Sequence, residues 1–232
     1  MRQSLYAFLI IICCLCSGCG KTRPDELPMH GGVDFTSGQK KIIEMRIQDA
    51  VKQFGDRKTA AEKAVESGWY YYNHKHDPKN AMRWFNQAWL FDPNNAGAFD
   101  GFGFLMAEKS KEDEAITYYK KSIELNPRNA LGICNLGRIY KNRAYRLYRQ
   151  RKREEMLKNI DEAMKLYEKA SQVATIDGDL GYIYYQWAVA LELTNNYAEA
   201  WKKIKLARKH DGQFIEPRFI KELLRYMPES QE

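Results

Sequence analysis

The sequence predicts an all-α protein made of stacked pairs of helices. The first observation is a pair of helical stripes in residues 95–130, where apolar and small side chains recur at spacings that place them on one helix face. The stripe of the first helix is Phe99, Phe102, Gly103 and Met106, and that of the second is Ala115, Tyr119 and Ser122. Asn126 and Pro127 end the second helix, because proline disfavours helical conformation in the residue before it.

The second observation is that both stripes recur with a period of 34 residues. Shifting the second stripe back gives Ala81, Phe85, Ala88 and Pro93, and shifting the first stripe forward gives Ile133, Leu136, Gly137 and Tyr140. A helix pair too small to bury its own apolar face does so by stacking on its neighbours. The period therefore predicts a linear array of helix pairs.

This period and these residue types resemble the tetratricopeptide repeat, which has a bulky residue, Leu-Gly and Tyr on its first helix and Ala, an aromatic residue and Pro on its second. The resemblance covers roughly residues 57–226. It implies a tetratricopeptide-type α-solenoid of about four helix-turn-helix repeats with capping helices at both ends. The expected domain, residues 57–232, holds repeats at about 61–95, 96–129, 130–177 and 178–212 and a capping helix at 217–227.

The N-terminus is typical of an export signal. Residues 1–18 contain one positive charge, Arg2, followed by an apolar run too short to span a membrane and then by small residues. The ending resembles the lipidation box of bacterial lipoproteins, which would make Cys19 the lipidated residue of the mature chain, although Cys16 stands where that box usually has an aliphatic residue. An uncleaved anchor and plain secretion remain alternatives. The resemblance implies a lipid anchor in the cell envelope, most simply on the periplasmic face of an outer membrane.

Two short segments separate the leader from the repeats. Residues 19–36 are rich in Gly, Pro and charge without periodicity, which predicts a flexible tether. Residues 37–56 predict an N-terminal helix that Ser37 caps and that Gly55 ends.

The third repeat departs from the period. Gly137 is followed by Ala163, Tyr167 and Ala170, with 14 more residues before this stripe than in the second repeat. Seven extra residues on each helix would add two turns apiece without rotating the apolar face. The sequence therefore predicts a helical hairpin over residues 141–160 that projects about 10 Å beyond its neighbours.

Positive charge is concentrated in this hairpin. Outside the leader the chain has 36 basic and 30 acidic residues, since Arg2 is the leader's only charge, and residues 138–153 contain no acid. The basic surface consists of Arg143, Arg146, Arg149, Arg151, Lys152 and Arg153. It is either a solvated helical extension or a contact for an anionic surface or an acidic partner; nucleic acid is not expected for an exported protein.

Catalytic and metal sites are not predicted. His74 and His76 lack further ligands at metal-site spacing, and Cys134, the only cysteine after Cys19, is typical of a small buried side chain. The acids at residues 112–114 suit the start of a helix. We expect no enzyme activity, no cofactor and no metal.

Function is therefore expected on the first helix of each repeat, which lines the binding groove in the family that the chain resembles. The groove positions carried over are Trp69, Tyr72, Asn73, Asp100, Phe104, Glu108, Arg138, Lys141, Asn142, Tyr185, Val189 and Glu192. The expected partner is a protein or peptide. Two hypotheses remain open: an adaptor that assembles an envelope machine such as a pilus, secretion or cell-wall complex, and an accessory subunit or regulator of an envelope enzyme for cell-wall or polysaccharide processing.

Overall fold

The computed structural model describes residues 23–228, which contain α-helices and short 3₁₀ helices and no β-strand. The α-helices are α1 (Ser37–Phe54), α2 (Arg57–Lys75), α3 (Pro78–Phe91), α4 (Ala96–Glu108), α5 (Glu112–Leu125), α6 (Ala130–Arg149), α7 (Arg153–Val173), α8 (Asp177–Glu192), α9 (Tyr197–Asp211) and α10 (Pro217–Tyr226). The predicted all-α, tetratricopeptide-type solenoid is confirmed. No helix in this part of the chain combines the length and apolarity needed to cross a bilayer.

The chain divides into two compact units, one ending at Gly101 and the other beginning at Phe102. In the first unit α2 and α3 form a helical hairpin, and α1 packs against α2. The Phe85 ring of α3 is fully buried, and it fills the space that side chains would occupy at Gly68 of α2 and Gly101 of α4. Glycine at these two positions lets the helices approach closely around one aromatic ring.

The start of α3 is capped by a side chain, and the start of α1 differs from the prediction. The Asp77 carboxylate accepts a hydrogen bond from the Asn80 backbone N–H at 3.0 Å, and Pro78 is the first residue of α3. At α1 the cap is Thr36, not Ser37: the Thr36 hydroxyl accepts from Gln39 N at 3.3 Å, and Gln39 Oε1 accepts from Thr36 N at 2.8 Å. This reciprocal pair satisfies two otherwise unpaired N–H groups, which Ser37 with Lys40 could not do.

Residues 23–33 do not form the predicted flexible tether. Two short 3₁₀ helices, Pro24–Glu26 and Pro28–Gly32, pack against α3. The buried Asn86 side chain donates to the backbone oxygens of Asp25 (3.2 Å) and Leu27 (2.8 Å) and accepts from His30 N (3.3 Å). A buried amide requires such partners, and here this segment supplies them. Residues 1–22, with the predicted leader and Cys19, lie outside the described part.

In the second unit two close approaches of helices are again made by glycine beside a buried tyrosine. A Cβ at Gly103 would lie 2.9 Å from the Tyr119 ring, and one at Gly137 would lie 2.9 Å from the Tyr167 ring. Both rings are fully buried. The period-34 stripes therefore mark the helix contacts, as the sequence analysis predicted.

The long hairpin has the predicted geometry. α6 has 20 residues where α4 has 13, and α7 has 21 where α5 has 14. The turn between them contains Arg151 with a φ of 61°. Ala144, Met156 and Ile160 are buried between the two extended helices, so the projection has an apolar interior of its own.

The terminal helix α10 covers α9 with one face. Pro217 begins α10 as predicted, and Phe219 and Leu223 are buried against α8 and α9. Leu224 is 49% exposed. It follows Leu223 by 100° around the helix and so lies on the outer side.

Candidate functional site

The predicted groove residues of the first unit lie on α2 and on the start of α4. Trp69 is half-buried, with its ring edge packed on Phe85 at a centroid distance of 5.2 Å. Tyr72 and Asp100 are half-buried and Asn73 is exposed. Trp69 thus combines a fixed ring with an accessible face.

In the second unit the rest of α4 contributes Phe104, which is half-buried, and Glu108, which is exposed. Their neighbours Leu105 and Met106 are almost completely buried. Phe104 is therefore a partly accessible aromatic side chain, although its neighbours on the same helix are buried.

A polar cluster lies between α6 and α8. The Lys141 ammonium donates to Gln186 Oε1 at 2.9 Å, and Arg138 hydrogen-bonds to Tyr182. Burial lowers the pKa of Lys141 to about 8, and the charge of Arg138 contributes in the same direction. The two cations lie side by side, one turn apart, while Asn142 beside them is exposed.

Tyr185 is buried, whereas the predicted groove role requires an accessible side chain. It is 6% exposed and packs edge-on against Phe219 of α10 at 5.8 Å. Burial raises its pKa to about 12, and the Glu216 carboxylate adds to the rise. The terminal helix covers this position, which the repeat pattern of α8 could not indicate. Val189 and Glu192, farther along α8, are half-buried, and burial raises the pKa of Glu192.

The basic surface of the hairpin is partly neutralised. Arg143 pairs with Asp113 at 2.8 Å and with Glu112 at 3.4 Å, and Arg146 also pairs with Glu112. Glu112 and Asp113 at the start of α5 are thus partners of the hairpin, whereas the sequence suggested a solvated face.

The remaining cations of this surface lie at the hairpin tip. Arg149, Arg151, Lys152 and Arg153 are all exposed, and Lys152 is 3.5 Å from Glu155. The exposed positive charge is therefore concentrated in the last turn of α6 and the loop that follows it.

Sequence reasoning missed several aromatic contacts in the second unit. The Lys203 ammonium lies 3.7 Å from the centre of the Trp187 ring, and Tyr197 stacks on Tyr226 at 4.8 Å with an angle of 3°. The spacing of residues within α8 and α9 places these side chains on outward faces, but it does not identify their partners on other helices.

Cys134 is buried, as expected for a packing residue, and burial raises its pKa to about 12. Its thiol is therefore neutral and shielded from reagents. His74 and His76 are both exposed, and His76 ends α2 with a φ of 50°. Within residues 23–228 no group of three or more His, Cys, Asp or Glu side chains has the arrangement of a metal site.

Comparison with known families finds a match in the second unit. Residues 118–165, from the second half of α5 through α6 into α7, match the tetratricopeptide repeat family. The matched segment includes the extended hairpin.

A curated relative that is similar to part of this chain in sequence is the photosystem I assembly protein Ycf3 of Rippkaea orientalis (strain PCC 8801 / RF-1). It is 31% identical over 116 residues, which are 49% of this chain and 56% of the relative. The chain thus matches little more than half the length of that protein.

Solved structures share the repeat fold. PilF of Pseudomonas aeruginosa has a TM-score of 0.58 and 19% identity, with 73% of this chain and 69% of that chain covered. The tetratricopeptide repeat protein TTC0263 of Thermus thermophilus has a TM-score of 0.56 and 18% identity, with 72% and 80% covered. MamA of Desulfovibrio magneticus RS-1 has a TM-score of 0.51 and 16% identity, with 75% and 85% covered.

Proposed function

We propose that this protein is a non-enzymatic scaffold that binds a protein partner through the first helices of its repeats. The observation that carries the proposal is that Trp69 in the first unit and Phe104 in the second are partly accessible aromatic side chains, while Leu105 and Met106 beside Phe104 are buried. Accessible aromatic anchors on a rigid helical frame commonly supply much of the energy of protein association.

A role in assembly is supported by the relative that is named a photosystem I assembly protein. The shared region is a repeat scaffold, and such scaffolds bind proteins without chemistry of their own. We propose that the protein takes part in the assembly of a multiprotein complex. The complex itself would be one of the cell envelope, such as pilus, secretion or cell-wall machinery.

The envelope assignment comes from the leader. An apolar run followed by Ser17, Gly18 and Cys19 favours lipidation at Cys19 and retention at a membrane, most simply the periplasmic face of an outer membrane. Metabolic labelling with a fatty-acid analogue should mark the wild-type chain and leave Cys19→Ala unmarked. Equal labelling of both chains would contradict the anchor without affecting the scaffold.

The scaffold proposal is tested by capture of partners from cells that express the tagged full chain. Trp69→Ala and Phe104→Ala should each lose a specific partner, identified by mass spectrometry, that the wild type retains. Tyr70→Ala and Phe214→Ala are matched controls, because these rings are 43% and 41% exposed and lie outside the predicted groove. Retention of every partner by both groove variants would refute the proposal.

The hairpin tip suits an anionic surface close to the anchor. Its cations are exposed, whereas Arg143 and Arg146 nearer the base are already paired. Arg151→Gln with Arg153→Gln should weaken sedimentation with vesicles that contain anionic phospholipid, and added salt should do the same because it screens exposed charges. Lys202→Gln with Lys209→Gln changes the charge equally on α9 and should have little effect. Equal binding of both pairs would reject a specific role of the tip.

A further inference from the structure

The insertion in α6 repeats one face of that helix. Adding seven to the positions of Arg138, Lys141 and Asn142 gives Tyr145, Tyr148 and Arg149. Seven residues are two helical turns to within about 20°. The face of α6 that contacts α8 therefore continues along the helix, and about 10 Å farther it carries two tyrosines and an arginine.

These two tyrosines are exposed although the hairpin around them is well packed. Tyr145 is 50% and Tyr148 is 58% exposed, while Ala144 and Met156 are buried in the interior of the hairpin. A large aromatic side chain that is left outside a complete core contributes little to folding and is available for binding.

The rotation of the hairpin is fixed from its other side. Arg143 and Arg146, which lie away from the tyrosines around α6, form ion pairs with Glu112 and Asp113 of α5. Several charges that share a network resist rotation better than a single surface pair. The tyrosine face is thus presented in one orientation, which lowers the entropy lost on binding.

The charge beside these tyrosines is mainly positive. Arg138 and Lys141 lie below Tyr145 on the same face, and Arg149 lies above it. Residues 138–153 contain no acidic side chain, and Glu216, whose charge acts on Lys141, lies outside this stretch. A ligand of negative charge is favoured, because tyrosine supplies apolar contact and hydrogen bonds while the cations pair with carboxylates.

We propose that Tyr145, Tyr148 and Arg149 of α6 form a docking surface for an acidic, extended polypeptide segment of a protein partner. The inference rests on the proposed scaffold function and assigns the partner's chemistry at this end of the molecule. The segment would place its carboxylates against Arg138, Lys141 and Arg149 and its backbone and apolar side chains across the tyrosine rings.

The test uses a displayed library of random 12-residue peptides, selected on the immobilised full chain and followed by fluorescence anisotropy of the enriched peptides. Enriched peptides should carry net negative charge. Tyr145→Ser with Tyr148→Ser should weaken their binding at least tenfold, and Arg149→Gln should weaken it several-fold at low salt. Tyr70→Ser, which changes an exposed tyrosine of the first unit, should leave affinity unchanged. Circular dichroism should show that each variant is folded.

Several results would overturn the inference. They are enrichment of neutral or basic peptides, equal affinity for wild type and the double tyrosine variant, or no enrichment at all. Binding of anionic vesicles without any peptide binding would assign the surface to lipid instead. If enriched peptides depended on Trp69 or Phe104 and not on Tyr145 and Tyr148, the scaffold function would stand and this docking surface would be rejected. Deletion of residues 144–157, which restores the usual repeat length, provides a second variant and should abolish binding of the acidic peptides.

Discussion

Gly181 of α8 is the position where one added methyl group should have the largest structural cost. A Cβ there would overlap the backbone oxygen of Asp211 and lie 2.9 Å from both the carbonyl carbon and the amide nitrogen of that residue. Backbone atoms cannot move aside as the end of a side chain can, so α8 and the end of α9 would have to separate. Overpacking of this kind costs about 1 to 3 kcal/mol, against a gain of about 1 kcal/mol from the better helix propensity of alanine.

Gly181→Ala should therefore lower the free energy of unfolding by up to about 2 kcal/mol. For a chain of this size a loss of about 2 kcal/mol corresponds to a fall in Tm of about 4 to 8 °C. Gly178→Ala is the matched control in the same helix, because its Cβ would meet only Asp211 Oδ2 at an ordinary 3.6 Å. That variant should be neutral or slightly stabilised.

Thermal and urea denaturation followed by circular dichroism would measure both variants. If Gly181→Ala matched Gly178→Ala within about 0.5 kcal/mol, the size usual for a surface substitution, the close approach of α8 and Asp211 would be wrong.

Three other predictions concern stability and reactivity. Gly103→Leu should destabilise the protein by about 2 to 4 kcal/mol in urea denaturation, because it forces a branched side chain against the buried Tyr119 ring, and an unchanged midpoint would refute that contact. Cys134 should resist a thiol reagent in the folded protein and react fully in guanidinium chloride, and fast reaction of the native protein would show that the thiol is accessible. Burial lowers the pKa of His30, and the charge of Asp25 partly offsets this effect, so the folded protein favours the neutral imidazole. The packing of residues 23–33 should therefore lose stability as the pH drops below the ordinary histidine pKa near 6.5. The hydrogen-exchange protection factors of residues 23–33, which are corrected for the intrinsic pH dependence of amide exchange, should then be lower at pH 5 than at pH 7 in the wild type but not in His30→Leu.

The repeat core could be predicted from the sequence because close helix packing constrains residue size at fixed positions. Gly103 and Gly137 each face a buried tyrosine, and small residues there are required wherever the period places them. The lengths of α6 and α7 could also be predicted, because an insertion that keeps an apolar face in register must add whole pairs of turns.

Features that depend on a single long-range contact could not be predicted. The segment at residues 23–33 has no periodicity, and its position is set by Asn86, a buried side chain 56 residues after His30. Tyr185 occupies a groove position of its repeat, yet α10 covers it through Phe219. Local spacing specifies the face of a helix, and it does not specify which distant segment packs there.

In the candidate site, too, some features could be predicted from local spacing and others could not. The spacing of residues within α6 indicated that Arg138 and Lys141 share a face, but not that Gln186 of α8 would accept a hydrogen bond from Lys141. The pairing of Arg143 with α5 likewise required the structure, since charge runs alone do not indicate whether they are solvated.

The packing of residues 23–33 on α3 shortens the free segment between the folded protein and the membrane, if the chain is anchored at Cys19. Twenty free residues would span about 25 Å and let the repeats tumble above a bilayer. With Arg23 already near the folded surface, only residues 20–22 intervene, and their contour from Cys19 is at most about 14 Å. The first unit, held so close to the bilayer, cannot turn all its sides toward the membrane. Asn86 and Arg83, the side chains of α3 that hold this segment, would then determine which helices of that unit face the lipid.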